Sequence, residues 1–293
     1  MQQKRAYRYR FYPTFEQAAV LAQTFGCARY VYNWALCLRS DAYYERQERI
    51  GYHEASAALT VLKQQPDPAW LNEVSSVPLQ QVLRHLDSAF RNFFEGRANY
   101  PAFRKKRGRQ AATYASSAFR WDAEAHTLTL AKMDAPLDMR WSRSFAGTPT
   151  SVTISQDTAG RYFVSFLVEE DIQSLPTVNA QVGVDVGLKD LAVFSTGEKV
   201  ANLKHLRHSG RRLAHAQRNL TRKQKGSRNR EKARLKVARI HARIADQRSD
   251  GLHKLTTRLI RENQVICVES LAVKNMVRNH SLAKAISDVG WGN

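Results

Sequence analysis

The sequence predicts a multidomain protein, α+β in its first part and α/β in its second. Three observations carry this. Apolar residues alternate at 5–12, follow a helical stripe between 14 and 96, and return to short alternating runs from 112 to 168. From 181 onward, strand-like segments frame a long, strongly basic stretch of helical period. With 293 residues and 43% hydrophobic content, the protein is long enough for two or three cores and too apolar for a disordered tail.

Each element follows from local chemistry. At 5–12, Tyr7, Tyr9 and Phe11 share one face and Arg8 and Arg10 the other, the period of a half-buried strand that Pro13 ends. Thr14 and Gln17 form a capping box, and Cys27, Val31, Trp34 and Leu38 recur at helical spacing. A second helix is expected over Ala55 to Lys63, before Pro66 and Pro68. Leu79, Val82, Leu83, Leu86, Phe90 and Phe93 make the strongest stripe, stopped by Gly96. Residues 14–96 therefore predict a helical bundle. The runs Ala112–Phe119, Thr127–Ala131, Leu137–Trp141, Ser151–Gln156 and Arg161–Val168, separated by turn residues, predict an antiparallel sheet in the form of a small barrel. Strand 5–12 would complete it, which makes the bundle an insertion.

In VGVDVGLKDLAVFSTGEKV two strands meet at a tight turn. Leu206, Leu213 and Leu220 form one stripe and Val237, Ile240 and Ile244 another, split by Gly226 and Ser227, so a helical hairpin is expected over 200–262. Leu252, Leu255 and Leu259 carry its second helix toward a core, and QVICVES returns as a strand.

The charge identifies a class of partner. Forty-six Lys and Arg against 26 Asp and Glu give +20, and between Ala201 and Arg261 nineteen bases face three acids, so one fifth of the sequence holds most of the excess. Such a surface predicts a polyanion. A second cluster runs through Arg97, Arg104, Lys105, Lys106, Arg107 and Arg109 with Tyr100 and Phe103 interleaved, a pattern suited to stacked, unpaired bases as well as phosphates. The predicted nucleic-acid contacts are Arg104, Lys105, Lys106 and Arg107 here, and Arg211, Arg212, Arg222, Lys223, Lys225, Arg228, Arg234 and Lys236 in the hairpin. A solvated helix face is the bland reading of any one run. Two runs and the global excess favour binding. No apolar run has the length of a bilayer span, and the N-terminus is too polar for a secretory signal. Cys27, Cys37 and Cys267 lack C-x-x-C spacing, which excludes a cysteine zinc site and fits a reducing cytoplasm.

Two acids stand where chemistry needs them. In VGVDVG the valines point one way and Gly183, Asp185 and Gly187 the other, so Asp185 sits between side chains of no size on a surface open to close approach. In QVICVES the inward positions are expected to be Val265, Cys267 and Glu269, with the acid at the strand's end. A pair of strand-end carboxylates in a polycationic protein suits a Mg²⁺-dependent nuclease, although either acid alone is more often a turn former or an ion-pair partner. Asp190 reads as an exposed loop acid, and His205 and His208 as solvated or phosphate-facing.

RFYPTFEQ with CARYVYNWAL, NYPAFRKKRGRQ, GVDVGLKDLAV, the hairpin from KGSRNREK to LIRENQ, VICVESLAVKN and SLAKAISDVGWG together resemble TnpB (OrfB), the protein of bacterial insertion sequences ancestral to type V CRISPR effectors. The resemblance covers nearly the whole sequence. It implies a wedge-type β-barrel at 1–13 and 97–176, an inserted helical recognition lobe at 14–96, and at 177–293 a RuvC (ribonuclease H-like) α/β domain. It implies guide RNA and target DNA as partners and RNA-guided DNA cleavage as the activity. Asp185 and Glu269 match the family's first catalytic Asp and its catalytic Glu, and so its metal ligands. Family members continue past GWG to a zinc ribbon and a third catalytic Asp, for which Asp288 is a poor substitute by position. The RuvC domain is therefore expected to be incomplete and the protein truncated at its C-terminus. Such a form should bind Mg²⁺ weakly or not at all, carry no zinc and cut negligibly alone, with a separate polypeptide supplying the missing segment as a further partner. The competing expectation is a non-cleaving nucleic-acid-binding remnant or regulator. A ribosomal-type RNA binder accounts for the charge but not the two acids, and a strand-transferring transposase lacks its signature residues.

Overall fold

The computed structural model describes residues 2–291 and divides into two units, one running through Ile172 and one from Gln173 onward. In the first, β1 (Gln2–Tyr12) leads into α1 (Phe15–Arg46), α2 (Tyr52–Leu62) and α3 (Ser76–Phe94), followed by β2 (Gln110–Ala115), β3 (Phe119–Asp122), β4 (Thr127–Leu130), β5 (Asp138–Arg140), β6 (Pro149–Gln156) and β7 (Tyr162–Asp171).

β1 alternates as its sequence requires: Tyr7, Tyr9 and Phe11 are buried, and Tyr9 lies opposite Val164 in a long antiparallel ladder with β7. Thr14 and Gln17 bond each other's backbone N–H groups and so start α1. The Gln17 amide also donates to the carbonyls of Ala135 and Pro136, tying the helix start to the segment before β5. α1 then serves two cores. Leu21 and Phe25 join the sheet's core, whereas Cys27, Val31, Ala35 and Leu36 join the bundle's, against Leu79, Val82, Leu83 and Leu86 of α3. Full burial of each such larger aliphatic residue contributes about 1.5–3 kcal/mol.

Two expectations change in detail. The run 112–119 is not one strand, because a 3-10 turn at Ser116–Ala118 buries Ala118 and redirects the backbone into the β3–β4 hairpin. The sheet order is β2-β6-β7-β1-β5, so ladder pairing does not close a barrel. β5 has three residues and pairs β1 only at Arg10–Tyr12, too short a strand to bridge to β2. The hairpin covers the core instead, through Leu128, Leu130 and Trp121.

The second unit holds β8 (Gln181–Val186), β9 (Asp190–Phe194), β10 (Lys199–Ala201), α4 (His205–Thr221), α5 (Arg228–Glu262), β11 (Val265–Val268), α6 (Val273–Met276) and α7 (Ala283–Val289). Its sheet runs β10-β9-β8-β11, with β8 and β11 parallel. β10 adds a third strand to the expected pair, because the Phe194–Glu198 turn folds the backbone straight back. Leu255 and Leu259 of α5 cover one sheet face, packing on Val182, Val184 and Phe194. α4 and α5 meet along Leu213, Ala216, Ile240 and Ile244. Their turn is pinned by polar bonds: Ser227 Oγ accepts the Arg230 N–H, and the Arg230 guanidinium donates to the carbonyls of Leu220 and Lys223 at 3.0 and 2.7 Å. Among the described residues, no helix is long and apolar enough to cross a membrane.

Candidate functional site

The register of two strands aligns the two strand-end acids. β8 and β11 pair from Val265↔Gln181 to Val268↔Val184, and the next residues in line are Glu269 and Asp185. Adjacent strands lie about 4.8 Å apart, and Glu269 follows one residue past the end of β11, in line with Asp185. Alternation also fixes their face. Ile266 pairs with Val182 and packs on the core beneath α5, so Cys267 and Glu269 share the opposite, open face with Gly183 and Asp185. This corrects the expected inward set: Val265 and Cys267 are exposed, because the ladder with β8 turns Ile266 inward. Asp185 and Glu269 are both exposed.

The glycines beside Asp185 have different explanations. A methyl group at Gly187 would lie 2.9 Å from the Asp190 carbonyl oxygen, so the β8–β9 turn itself requires this glycine. Gly183 exchanges bonds with Ser195, its N–H donating to Oγ at 3.0 Å and its carbonyl accepting the Ser195 N–H at 2.9 Å. Asp190 opens β9 and is half-buried rather than a loop acid.

No third His, Cys, Asp or Glu joins a metal-binding group among the described residues. Asp288 is used elsewhere. It is buried, and its two carboxylate oxygens accept the N–H groups of Leu206 and Arg207 at 2.8 and 3.1 Å, with Arg248 Nη2 4.0 Å away. α4 has no side-chain cap of its own, so Asp288 of α7 caps it from across the fold of this unit.

The hairpin's cations form a groove. Arg212 of α4 and Lys232, Lys236, Arg239 and Arg243 of α5 line a cleft of about 890 Å³ together with His205 and His208, and no acid lines it. The four α5 residues follow i, i+4, i+7, i+11 spacing, one helical face. Of the expected contacts, Arg212 and Lys236 line this groove. Arg211, Arg222, Lys223, Lys225 and Arg228 are exposed on α4, at the turn and at the start of α5. Arg234 is half-buried and ion-paired with Glu231 at 2.8 Å. Sequence reasoning missed Lys232, Arg239 and Arg243, although their spacing from Lys236 was readable. His208 places Nδ1 2.9 Å from the Leu203 carbonyl oxygen, which ties its ring to the start of α4.

In the other unit, Lys105, Lys106 and Arg107 are exposed on the loop before β2. Arg104 is turned inward. Its guanidinium lies 3.8 Å from the Tyr32 ring centroid, its N–H donates to Asn33 Oδ1 at 2.8 Å, and its carbonyl accepts from Asn33 Nδ2 at 3.1 Å. Burial pulls its pKa below the ordinary arginine value, with Tyr32 acting in the opposite sense. Arg104 thus anchors the loop that displays its neighbours. The Gln110 amide shapes the same loop, donating to the carbonyls of Lys105, Lys106 and Gly108.

Comparison with known proteins shows the family of the chain. Residues 165–280 match the OrfB_IS605 family model, described as "Probable transposase", and residues 1–48 a model described as "Helix-turn-helix domain". A Streptomyces pristinaespiralis protein named "Putative RNA-guided DNA endonuclease" is 55% identical over 99% of this chain and 73% of its own length. The chain belongs to the TnpB (OrfB) family. InsQ of Escherichia coli, of the same printed description, is 32% identical over 99% of this chain and 71% of its own. A Mycobacterium tuberculosis relative is 28% identical over 96% of this chain and 68% of its own. A Cas12f protein from a cryo-EM ternary complex overlaps 94% of this chain and 69% of its own, but 11% identity and a TM-score of 0.33 are too low to carry structural detail. In this TnpB-family protein the segment matched as helix-turn-helix is one strand followed by a single 32-residue helix.

Proposed function

We propose that this protein is the nucleic-acid-binding part, and part of the catalytic centre, of a transposon-encoded RNA-guided DNA endonuclease. In this reading residues 1–13 and 97–176 act as a wedge-type domain, 14–96 as a recognition lobe and 177–293 as part of a RuvC-like domain with Asp185 and Glu269 as its carboxylates. The observation that supports it is the parallel β8–β11 register, which aligns Asp185 with Glu269 just past the end of β11, in the unit that also holds the basic groove. Two carboxylates fit a single Mg²⁺, which keeps several waters and takes few protein ligands. When bound there, it would offset phosphate charge and favour ionisation of a coordinated water. The protein's own residues then divide the work. The groove's cations hold and orient the phosphate backbone, Asp288 keeps the first turn of α4 in place, and Asp185 and Glu269 present negative oxygens where the scissile phosphate must come.

A two-metal site calls for at least three convergent carboxylates. Among the described residues, no group of three or more His, Cys, Asp or Glu is placed to hold a metal ion. This supports the second reading, in which the 293-residue polypeptide by itself binds guide RNA and target DNA without cutting. The test is to purify the protein with its co-expressed RNA, sequence that RNA and measure capture and cleavage of matching DNA in Mg²⁺. We expect RNA-directed capture that weakens about 10³-fold between 50 and 200 mM salt, with negligible cleavage. Joined to the family's C-terminal segment, the polypeptide should cut, and Asp185→Ala or Glu269→Gln should abolish cutting. Capture that ignores the RNA sequence would overturn the RNA-guided reading, and cleavage that survives Asp185→Ala would overturn the site.

A further inference from the structure

The open face of the second unit's sheet carries one more charge in line with Asp185. Lys199 of β10 lies opposite Val193 of β9, and Val193 lies opposite Asp185 of β8. The three form a row across neighbouring strands, with the backbones of Lys199 and Asp185 two strand spacings, roughly 10 Å, apart. Alternation fixes the face of each. Val200 packs with Ala192, Phe194 and Val184 on the core beneath α5, so Lys199 before it, Val193 between Ala192 and Phe194, and Asp185 after Val184 all take the open side. Glu198 agrees with this parity, since its carboxylate accepts from Arg258 of α5 at 2.7 Å. Asp190 shares the parity of Ala192 and Phe194 and so the other face. Lys199 is exposed and stands in no ion pair among the described residues. The four strands put no other cation on this face.

The row's chemistry selects a phosphate. A carboxylate repels an approaching phosphodiester, so a surface bearing Asp185 needs positive charge of its own to draw one in. The groove's cations belong to α4 and α5, whereas Lys199 belongs to the sheet. Between Lys199 and Asp185 stands only Val193, which is apolar and offers no competing hydrogen bond from its side chain. A phosphate over Val193 can take a charge-assisted bond of about 2.8 Å from the ammonium. The row holds no aromatic ring, so it gives a base nothing to stack on.

We infer that Lys199 is a positioning residue for the nucleic-acid substrate, binding a backbone phosphate beside Asp185 and holding it over the open sheet face. The inference rests on the proposed nuclease reading of Asp185 and adds to it the cation that places the substrate there.

The test uses the whole protein with its copurified RNA and matching DNA, first in EDTA so that no metal takes part. DNA linkages are replaced one at a time by neutral methylphosphonates, and affinity is read by anisotropy of an end label. Lys199→Ala should weaken binding about threefold to tenfold, lower the slope of log affinity against log salt by about one, and leave one linkage indifferent to neutralisation. Lys199→Arg should restore all three. Asp185→Asn should strengthen binding, because it removes a repelling charge, and that gain should disappear when the same linkage or the next is neutralised. Amine acylation read by mass spectrometry, in EDTA and again in Mg²⁺, should find Lys199 shielded by DNA. Unchanged affinity in Lys199→Ala, or shielding of Lys189 in the β8–β9 turn in place of Lys199, would overturn the inference and leave the nuclease reading standing. Distant linkages for Lys199 and Asp185 would do the same, since the phosphate held would not be the one before the carboxylate. Wild type that captures no matching DNA even in Mg²⁺ would sink the RNA-guided reading beneath it.

Discussion

The bundle of α1–α3 and the hairpin of α4–α5 are both helical and hold their shape by different means. The bundle buries fifteen residues in its core, among them Val31, Ala35, Leu71 and Leu79 at 0% exposure, so apolar burial dominates. The seam between the hairpin's two helices buries four, and the exposed surface around it is rich in cations. A seam so thin leaves polar pins to set the geometry: Ser227 and Arg230 at the turn, and Asp288 at the start of α4. A helix can thus be a folding element or a frame for charge, and the same residues seldom serve both ends.

The comparison can be broken most directly in the bundle. Leu79→Ala should cost about 2–5 kcal/mol, measured as a loss of unfolding midpoint in denaturant for the unit through Ile172, and should leave the salt dependence of nucleic-acid binding unchanged. The converse change is Lys232→Glu with Lys236→Glu and Arg239→Glu. These should weaken binding roughly 10²-fold and lower the slope of log affinity against log salt by about three, with the bundle's midpoint unmoved. A shifted midpoint would show that the groove cations also hold the fold.

A pH series separates the two regions in a third way. Burial in the bundle core pushes the Cys27 thiol from 9.0 up to about 11. The folded value is the higher one, so this contribution is fully present below about pH 9 and is lost as pH rises through 11. A rise of that size corresponds to at most about 3 kcal/mol. Cys27→Ala should flatten the alkaline loss of bundle stability relative to wild type, and an unchanged difference between pH 9 and 11 would remove the thiol as its cause. The smallest effect should come from Asp288→Ala. Losing the cap should cost about 1 kcal/mol and speed amide exchange at Leu206 and Arg207, with no change in the bundle.

Much of the fold is legible in the residues because period and capping are local. Thr14–Gln17, the Leu79–Phe90 stripe and the two hairpin stripes need only spacing to be read. What escapes reading depends on partners distant in sequence. Nothing in VICVES says which residues face inward until β8 is known to lie beside it, and then Ile266 opposite Val182 decides the matter. Sequence groups Arg104 with its basic neighbours because it shows charge and not direction, whereas Tyr32 and Asn33, some seventy residues earlier, turn it inward. Asp288 invites comparison only with a metal ligand. Its capping of α4, 82 residues away, has no local signature. Asp185 and Glu269 are readable as candidates from their chemistry, but their alignment at neighbouring strand ends belongs to the register alone.

The long ladder between β1 and β7 also sets a schedule for synthesis. Tyr9 must wait for Val164, and at about 5–20 residues per second that wait is roughly 8–30 s. Through that interval β1 is a strand with an aromatic face and no long ladder partner, since β5 reaches only Arg10–Tyr12, and it is tethered to a helix bundle able to complete its own core from local sequence. The nascent polypeptide is therefore most open to misassociation early, at its first dozen residues. Slowing translation between α3 and β7 should raise the demand for chaperones that shield Tyr7, Tyr9 and Phe11, long before any nucleic acid is met.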